Sequence, residues 1–408
     1  MADVPRYWFE LAKNSLARPG ADYGPDQAAV LDEAGLEEAR SVITAWPNYA
    51  PTPLLELSTV AQAIGIARLH YKNEAPRFGL GSFKPLGGAY AVARLLVREI
   101  GRRTGETGVQ VAEILSGKYR DVAAEVTITA ATDGNHGRSV AWAAQMLGCG
   151  CVIFIHETVT EGREKAITRY GAEVRRTPGN FDDAVRKAHD TAEAEGWFLT
   201  PDTSNGVIVE APRNFMRGYA LMAAEVIEQS PYNEPPTHIF LQAGTGSMAA
   251  ATCAQFWRAF GNARPITVLV EPETAACWFE SLKTGEPVAI TGELDTIMAG
   301  LACGEVSRLA WKILAPDVRV MMTVNDEAAA DCMRLLAEGR YGDTPLIAGE
   351  SAVAGLAGLL AAAGNDEARA TLGLSENSRV VLFGTEGATD PETYARIIGR
   401  RPEDVKNG

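Results

Sequence analysis

Cysteine is scarce in this chain and poorly spaced for a staple or a metal clip. Its six cysteines, Cys149, Cys151, Cys253, Cys277, Cys303 and Cys332, are spread over a 408-residue sequence and form no CxxC pair. That disfavours a disulfide-stapled secreted domain and a zinc ribbon alike. Runs of Lys or Arg are missing too, and the net charge is -14 with a pI near 5.0. A nucleic acid or anionic membrane partner is therefore not expected, since both are bound by clustered basic side chains. A small anion is not excluded, because a few backbone N–H groups at a helix start can hold a phosphate whatever the overall charge. No stretch approaches the ~18 apolar residues of a membrane span. The start, Met1-Ala2-Asp3-Val4-Pro5, lacks the basic and then apolar regions of a leader. The expectation is a cytoplasmic, unprocessed protein with no metal site, internal repeat or low-complexity tract.

The sequence does contain alternating strand and helix signals. Hydrophobic residues make up 46% and charged residues 22%, with 40 glycines and 21 prolines, which is ordinary globular composition. The length suggests two or three domains. The runs 126–131, 151–156, 237–242, 266–270, 318–324 and 379–383 are nearly all apolar, as strands covered on both faces should be. Between them lie helical spacings such as Leu86, Tyr90, Ala93, Val97 and Ile100, or Phe181, Val185, Ala188 and Ala192, each predicting one buried stripe. The polar segment 101–120 reads as a connection with a short helix. This grammar predicts an α/β fold with mainly parallel sheets.

Three glycine-flanked segments could carry chemistry. In GLGSFKPLGGAY (79–90), Pro85 suits the first turn of a helix and so places Lys84 near a helix N-terminus. The positive end of the dipole there disfavours an ammonium, which suits a lysine that must attack a carbonyl as the free amine. Taken alone, the motif is better read as a solvated lysine opening a surface helix. In ATDGNHGRS (131–139), a tight turn joins a strand to a helix predicted to begin near Arg138. Gly134 and Gly137 would let backbone approach a ligand, Asn135 can donate and accept, and Asp133 adds an acid. His136 is a turn residue or a ligand, and an ordinary βα loop remains open. In QAGTGSMA (242–249), the loop can offer N–H groups from Gly244 to Met248 to one phosphate. A dinucleotide fingerprint would want glycine where Ala249 stands, although the acid Glu271 does follow the next strand. Last, Thr385 in FGTEGATD (383–390) could bond a heteroaromatic nitrogen or simply cap a turn.

In this order, the segments resemble the fold-type II pyridoxal-phosphate enzymes, the superfamily of tryptophan synthase β and threonine dehydratase. The resemblance narrows to the diaminopropionate ammonia-lyases through RFGLGSFKPLGGAYAV (77–92), TDGNHGRSVAWAAQ (132–145), IMAGLACGE (297–305), GES (349–351) and TEGATD (385–390). It spans the chain from Pro51 to Asp390. It implies two three-layer αβα domains, with 1–90 and 205–408 forming a large cofactor-binding domain and 91–204 a small mobile one. It implies pyridoxal 5'-phosphate as cofactor, a small amino acid as substrate, and a homodimer.

By the same resemblance Lys84 forms a Schiff base with the cofactor, with Phe83 beside it, and Asn135 meets the cofactor's 3′-oxygen. Gly244, Thr245, Gly246, Ser247 and Met248 bind its phosphate, and Thr385 its pyridine nitrogen. Ser82, Thr132, Asp133, Gly134 and His136 are implied to contact substrate, with Lys84, Asp133 and Asp202 catalytic. Related dehydratases carry a small residue where this chain has Asp133. A carboxylate suits a substrate bearing a β-ammonium, because it can pair with the amine or take a proton from Cα. The implied reaction is α,β-elimination of ammonia from 2,3-diaminopropionate, giving pyruvate and two ammonia, with either enantiomer accepted. After Asp202 the family usually reads DTAWEGY where this chain has DTSNGVIVEAP, which leaves a dehydratase or deaminase of another β-substituted amino acid open, of the serine, threonine, hydroxyaspartate or phenylserine type. Many superfamily members also have Ser where Gly384 stands, which leaves Thr385 to partner the pyridine nitrogen. Cys277 and Cys303 sit where the ammonia-lyases also carry cysteines; a disulfide near the site stays open, and two buried thiols are the expectation in a reducing cytosol.

Overall fold

The computed structural model describes residues 4–132, 134–230 and 235–405. Among them are strands β1 (Phe9–Lys13), β2 (Leu54–Glu56), β3 (Arg68–Asn73), β4 (Thr127–Ala131), β5 (Gly150–His156), β6 (Glu173–Thr177), β7 (Phe198–Leu199), β8 (His238–Gln242), β9 (Ile266–Pro272), β10 (Val320–Val324) and β11 (Arg379–Gly384). All six apolar runs become strands, β4, β5 and β8 through β11. The chain forms two compact units.

One unit, Met1–Asp32, Pro51–Ser82 and Met222–Gly408, holds a seven-stranded sheet in the order β1-β10-β9-β8-β11-β3-β2. Its five central strands are parallel, and β1 and β2 close the edges antiparallel. Strand β8 is buried at every position, as a strand flanked on both sides and both faces must be. Strand β3 (RLHYKN) is polar yet central enough to bury Lys72 completely. Its ammonium donates to Glu225 Oε2 at 2.6 Å, the Thr52 carbonyl at 2.8 Å and Gln229 Oε1 at 2.8 Å. Arg77, also buried, grips Glu225 with two N–H groups at 2.8 and 2.7 Å and Glu74 at 2.8 Å. This closed ionic network ties the segment after β3 to the C-terminal half of the helix Glu210–Gln229.

The other unit, Glu33–Ala50 and Phe83–Leu221, holds a four-stranded, all-parallel sheet in the order β6-β5-β4-β7. Its boundaries fall at different residues from the expected 91–204. The helix Glu33–Thr44 joins it because Glu38 pairs with Arg94 and accepts from Tyr90 on the helix Lys84–Thr104. Residues up to 221 join it because that helix crosses Glu210–Gln229 so closely that a Cβ on Gly218 would lie 2.1 Å from the Leu86 carbonyl.

Two helical readings need correction. In the helix Phe181–Glu195 the buried stripe is Ala184, Ala188 and Ala192, while Phe181 and Val185 are exposed. Small residues there let the helix lie close on Val152 and Phe154 of β5. The helix after β4 begins at Asn135 rather than near Arg138, so Asn135 and His136 occupy its first turn. The short helices Val111–Leu115 and Arg120–Ala124 fall in and at the end of the polar connection. No helix of the described residues is long and apolar enough to cross a membrane.

Candidate active site

Lys84 is the first residue of its helix, with Pro85 next and Phe83 at the cap, as the proline placement predicts. Its Nζ donates to Asp202 Oδ2 at 2.6 Å, and both side chains are 23% exposed. The carboxylate offsets the helix-end field and stabilises the ammonium, a partner the sequence does not reveal. The same nitrogen lies 5.4 Å from the Phe83 ring centre and 5.9 Å from that of Tyr219, within cation–π range. Burial pushes the Asp202 carboxyl up, but Lys84 and then His136 prevail and hold it well below the usual carboxylate range. His136 is buried, with Nδ1 3.6 Å from Asp202 Oδ2 and its ring against Phe215.

Strand pairing explains why Asp202 lies beside the turn that carries His136. Strands β4 and β7 run parallel in register Ile128↔Phe198, and Thr200 N–H donates to the Thr129 carbonyl at 2.9 Å. Asp202 and the turn after β4 therefore leave the same carboxyl edge of the sheet, where α/β folds place ligands. In that turn Thr132 Oγ1 accepts from the N–H groups of Gly134 and Gly137, at 3.0 and 3.1 Å. Asn135 Oδ1 accepts from Arg138 at 2.6 Å, which turns its amide N–H₂ the other way as a donor. Asp133 lies outside the described residues. In the departing segment Ser204 is buried and bonds the Ile208 carbonyl, while Val207 is 84% exposed.

The glycine loop after β8 belongs to the first unit. Gly246 caps the helix Ser247–Phe260 at φ +90°, and a Cβ there would lie 2.3 Å from Trp278 Cζ2. Only glycine meets both conditions. Ser247 and Met248 form the first turn of the helix, and a phosphate is an anion that a helix start accepts. Thr245 gives its carbonyl to Ser307 N–H at 2.9 Å. Glu271 is no ribose ligand: burial raises it to about 8, and it accepts the N–H groups of Trp278 and Phe279 at 2.9 and 2.7 Å.

Distant motifs converge beside this loop. Gly300 N–H donates to Ser351 Oγ at 2.9 Å, and Ser351 N–H donates to Glu386 Oε1 at 3.1 Å. Ser82 forms a bridge with Glu386, and its buried Oγ has no hydrogen-bond partner among the described residues. At Gly384 the space a side chain would need is filled, since a Cβ would lie 2.1 Å from the Tyr71 hydroxyl. Thr385 is thus the first residue after β11 with a hydroxyl to offer. Cys277 is buried and Cys303 half-buried, not both buried as expected. Cys277 Sγ lies 3.7 Å from the Gly244 carbonyl.

Each unit by itself offers groups that suit pyridoxal 5'-phosphate: one has a lysine at a helix start and an amide donor at Asn135, for an aldehyde and a 3′-oxygen, and the other has a glycine loop opening a helix and a buried hydroxyl at Thr385, for a phosphate and a ring nitrogen. Tyr219 and Gln242 carry no usable sequence signal, one being an aromatic inside a long helix and the other a polar end to an apolar strand.

Comparison with known proteins agrees. Residues 45–385 match the family described as pyridoxal-phosphate dependent enzyme. The diaminopropionate ammonia-lyase of Salmonella typhimurium is 38% identical over 361 residues, covering 86% of this chain and 89% of that protein. Holo diaminopropionate ammonia lyase from Escherichia coli superposes with a TM-score of 0.87 at 34% identity, over 97% of this chain and 98% of that one. The same enzyme in complex with an aminoacrylate-PLP azomethine reaction intermediate superposes with a TM-score of 0.84 at 33% identity, with the same coverage. The chain belongs to the pyridoxal-phosphate dependent enzymes and, within them, to the diaminopropionate ammonia-lyases.

Proposed function

We propose that Lys84 holds the cofactor of this ammonia-lyase and that Asp133 and Asp202 serve the elimination of ammonia from 2,3-diaminopropionate, giving pyruvate and two ammonia. The observation that carries the reading is Lys84 Nζ, on the first residue of a helix, at 2.6 Å from a carboxylate held ionised. Bound pyridoxal phosphate supplies a carbonyl for amines and a conjugated ring that accepts electron density from Cα.

The residues divide the remaining work. With Lys84 turned to the cofactor, the Asp202 carboxylate would be able to pair with a substrate ammonium. As a free amine, Lys84 would take the Cα proton on one face. Asp133 and Asp202 can take it on the other, and can protonate the departing β-amine. Gly244 to Met248 would hold the phosphate, Asn135 would donate to the 3′-oxygen, and Thr385 would meet the ring nitrogen. Phe83 flanks the lysine, and Ser82, Thr132, Gly134 and His136 border the substrate. The working form is read as a cytoplasmic homodimer, supported by six scattered cysteines with no CxxC pair and by the resemblance to the ammonia-lyases.

The test is pyruvate release from 2,3-diaminopropionate against serine, threonine and 3-hydroxyaspartate. The diamine is expected to be turned over fastest, and Lys84→Ala to lose both turnover and the borohydride-trapped cofactor adduct. A hydroxy amino acid outrunning the diamine would replace the substrate, and an adduct surviving in Lys84→Ala would replace the lysine.

A further inference from the structure

Gln242 ends strand β8 and is buried. Its Nε2 donates to the Phe383 carbonyl at 2.6 Å and to Thr385 Oγ1 at 2.9 Å. A carbonyl only accepts, so the amide nitrogen must face β11, and the orientation is settled without choosing between amide flips. The opposite edge agrees, because Oε1 is buried with no hydrogen-bond partner among the described residues and packs toward Gly355. Flipping the amide would set oxygen against the Phe383 carbonyl.

This geometry polarises Thr385. Its oxygen already accepts from Gln242, and among the described residues nothing accepts its hydrogen. A hydroxyl in that state is a directed donor. A protonated ring nitrogen would compete for the remaining lone pair and leave the hydroxyl hydrogen buried without an acceptor.

We propose that Gln242 is a positioning residue that holds the Thr385 hydroxyl as a donor and so keeps the ring nitrogen of the bound cofactor unprotonated. The inference rests on the reading of Thr385 as the partner of that nitrogen. A neutral ring draws electron density less strongly than a pyridinium, which leaves more at Cα to expel the β-amine and less occasion for a proton to return there.

The experiment loads the enzyme with pyridoxal phosphate carrying ¹⁵N in the ring and follows that resonance against pH in wild type, Gln242→Glu, Gln242→Met and Thr385→Val. In Gln242→Glu the carboxylate takes the Thr385 hydrogen, so the hydroxyl presents a lone pair to the nitrogen. The nitrogen is expected to titrate at least about one pH unit higher, about a tenfold gain in protonated fraction. Gln242→Met, which removes the donor and keeps the bulk, moves it the same way by less and guards against a misfolded glutamate variant. A resonance that moves in Thr385→Val but stays at the wild-type position in both Gln242 variants overturns the inference alone. One that also ignores Thr385→Val overturns the assignment of Thr385. A merely structural Gln242 would change thermal stability without moving the resonance.

Discussion

Lys84 and Asp202, 118 positions apart in the chain, meet at 2.6 Å, the lysine opening the helix Lys84–Thr104 and the acid following β7 at the carboxyl edge of the parallel sheet. The pair makes acid stability a direct readout. A folded carboxyl more acidic than its unfolded counterpart releases its proton on folding, so it adds stability above the unfolded value of about 4 that is lost as pH falls below it. Cofactor-stripped Asp202→Asn is therefore expected to be less stable than wild type at pH 7, with the gap shrinking as pH drops below about 4. Urea midpoints across that range check the sign, and a gap that widens toward acid would contradict the ionised pair.

Asp133 is tested by Asp133→Asn, which keeps shape and removes the charge. Cofactor binding is expected to stay, while kcat/KM for the diamine falls by about 10²–10⁴-fold, the usual loss of a general acid or base. Turnover indistinguishable from wild type would take Asp133 out of the reaction.

Gly246→Ala places a side chain at φ +90° and against Trp278. The backbone cost alone is about 1–3 kcal/mol. Equilibrium titration with pyridoxal phosphate should show weakened binding together with a lower melting temperature. Retained affinity would mean that the loop does not hold the phosphate.

Arg77→Met opens the buried ionic network and strands Glu225 and Glu74 without their main cation. Removing one member of a buried pair costs about 3–5 kcal/mol, because the charge left behind is uncompensated. Denaturant unfolding of the variant should report a loss of that order, where a solvated surface pair would give about 0–1 kcal/mol.

The strands that can be read from sequence are those covered on both faces, where nearly every residue must be apolar. Strands β3 and β6 escape because Lys72 is buried through ionic partners and EVRRT is a polar edge. Strands β1 and β2 escape because they are antiparallel edges, and β7 because it is two residues long. At the site, glycine spacing reveals the loops and proline reveals the start of the lysine helix. The acid opposite Lys84 is located through the family resemblance. Its pairing, and the amide behind Thr385, depend on contacts 118 and 143 positions apart that no local pattern encodes.

Tyr71 and Gly384 make the path from this chain to a serine-bearing relative a two-step one. Any side chain at 384 collides with the phenol, so grafting in a dehydratase-type serine would injure the protein unless position 71 shrank first. Either change alone is a loss, which makes the pair a barrier to drift between neighbouring specificities within one scaffold.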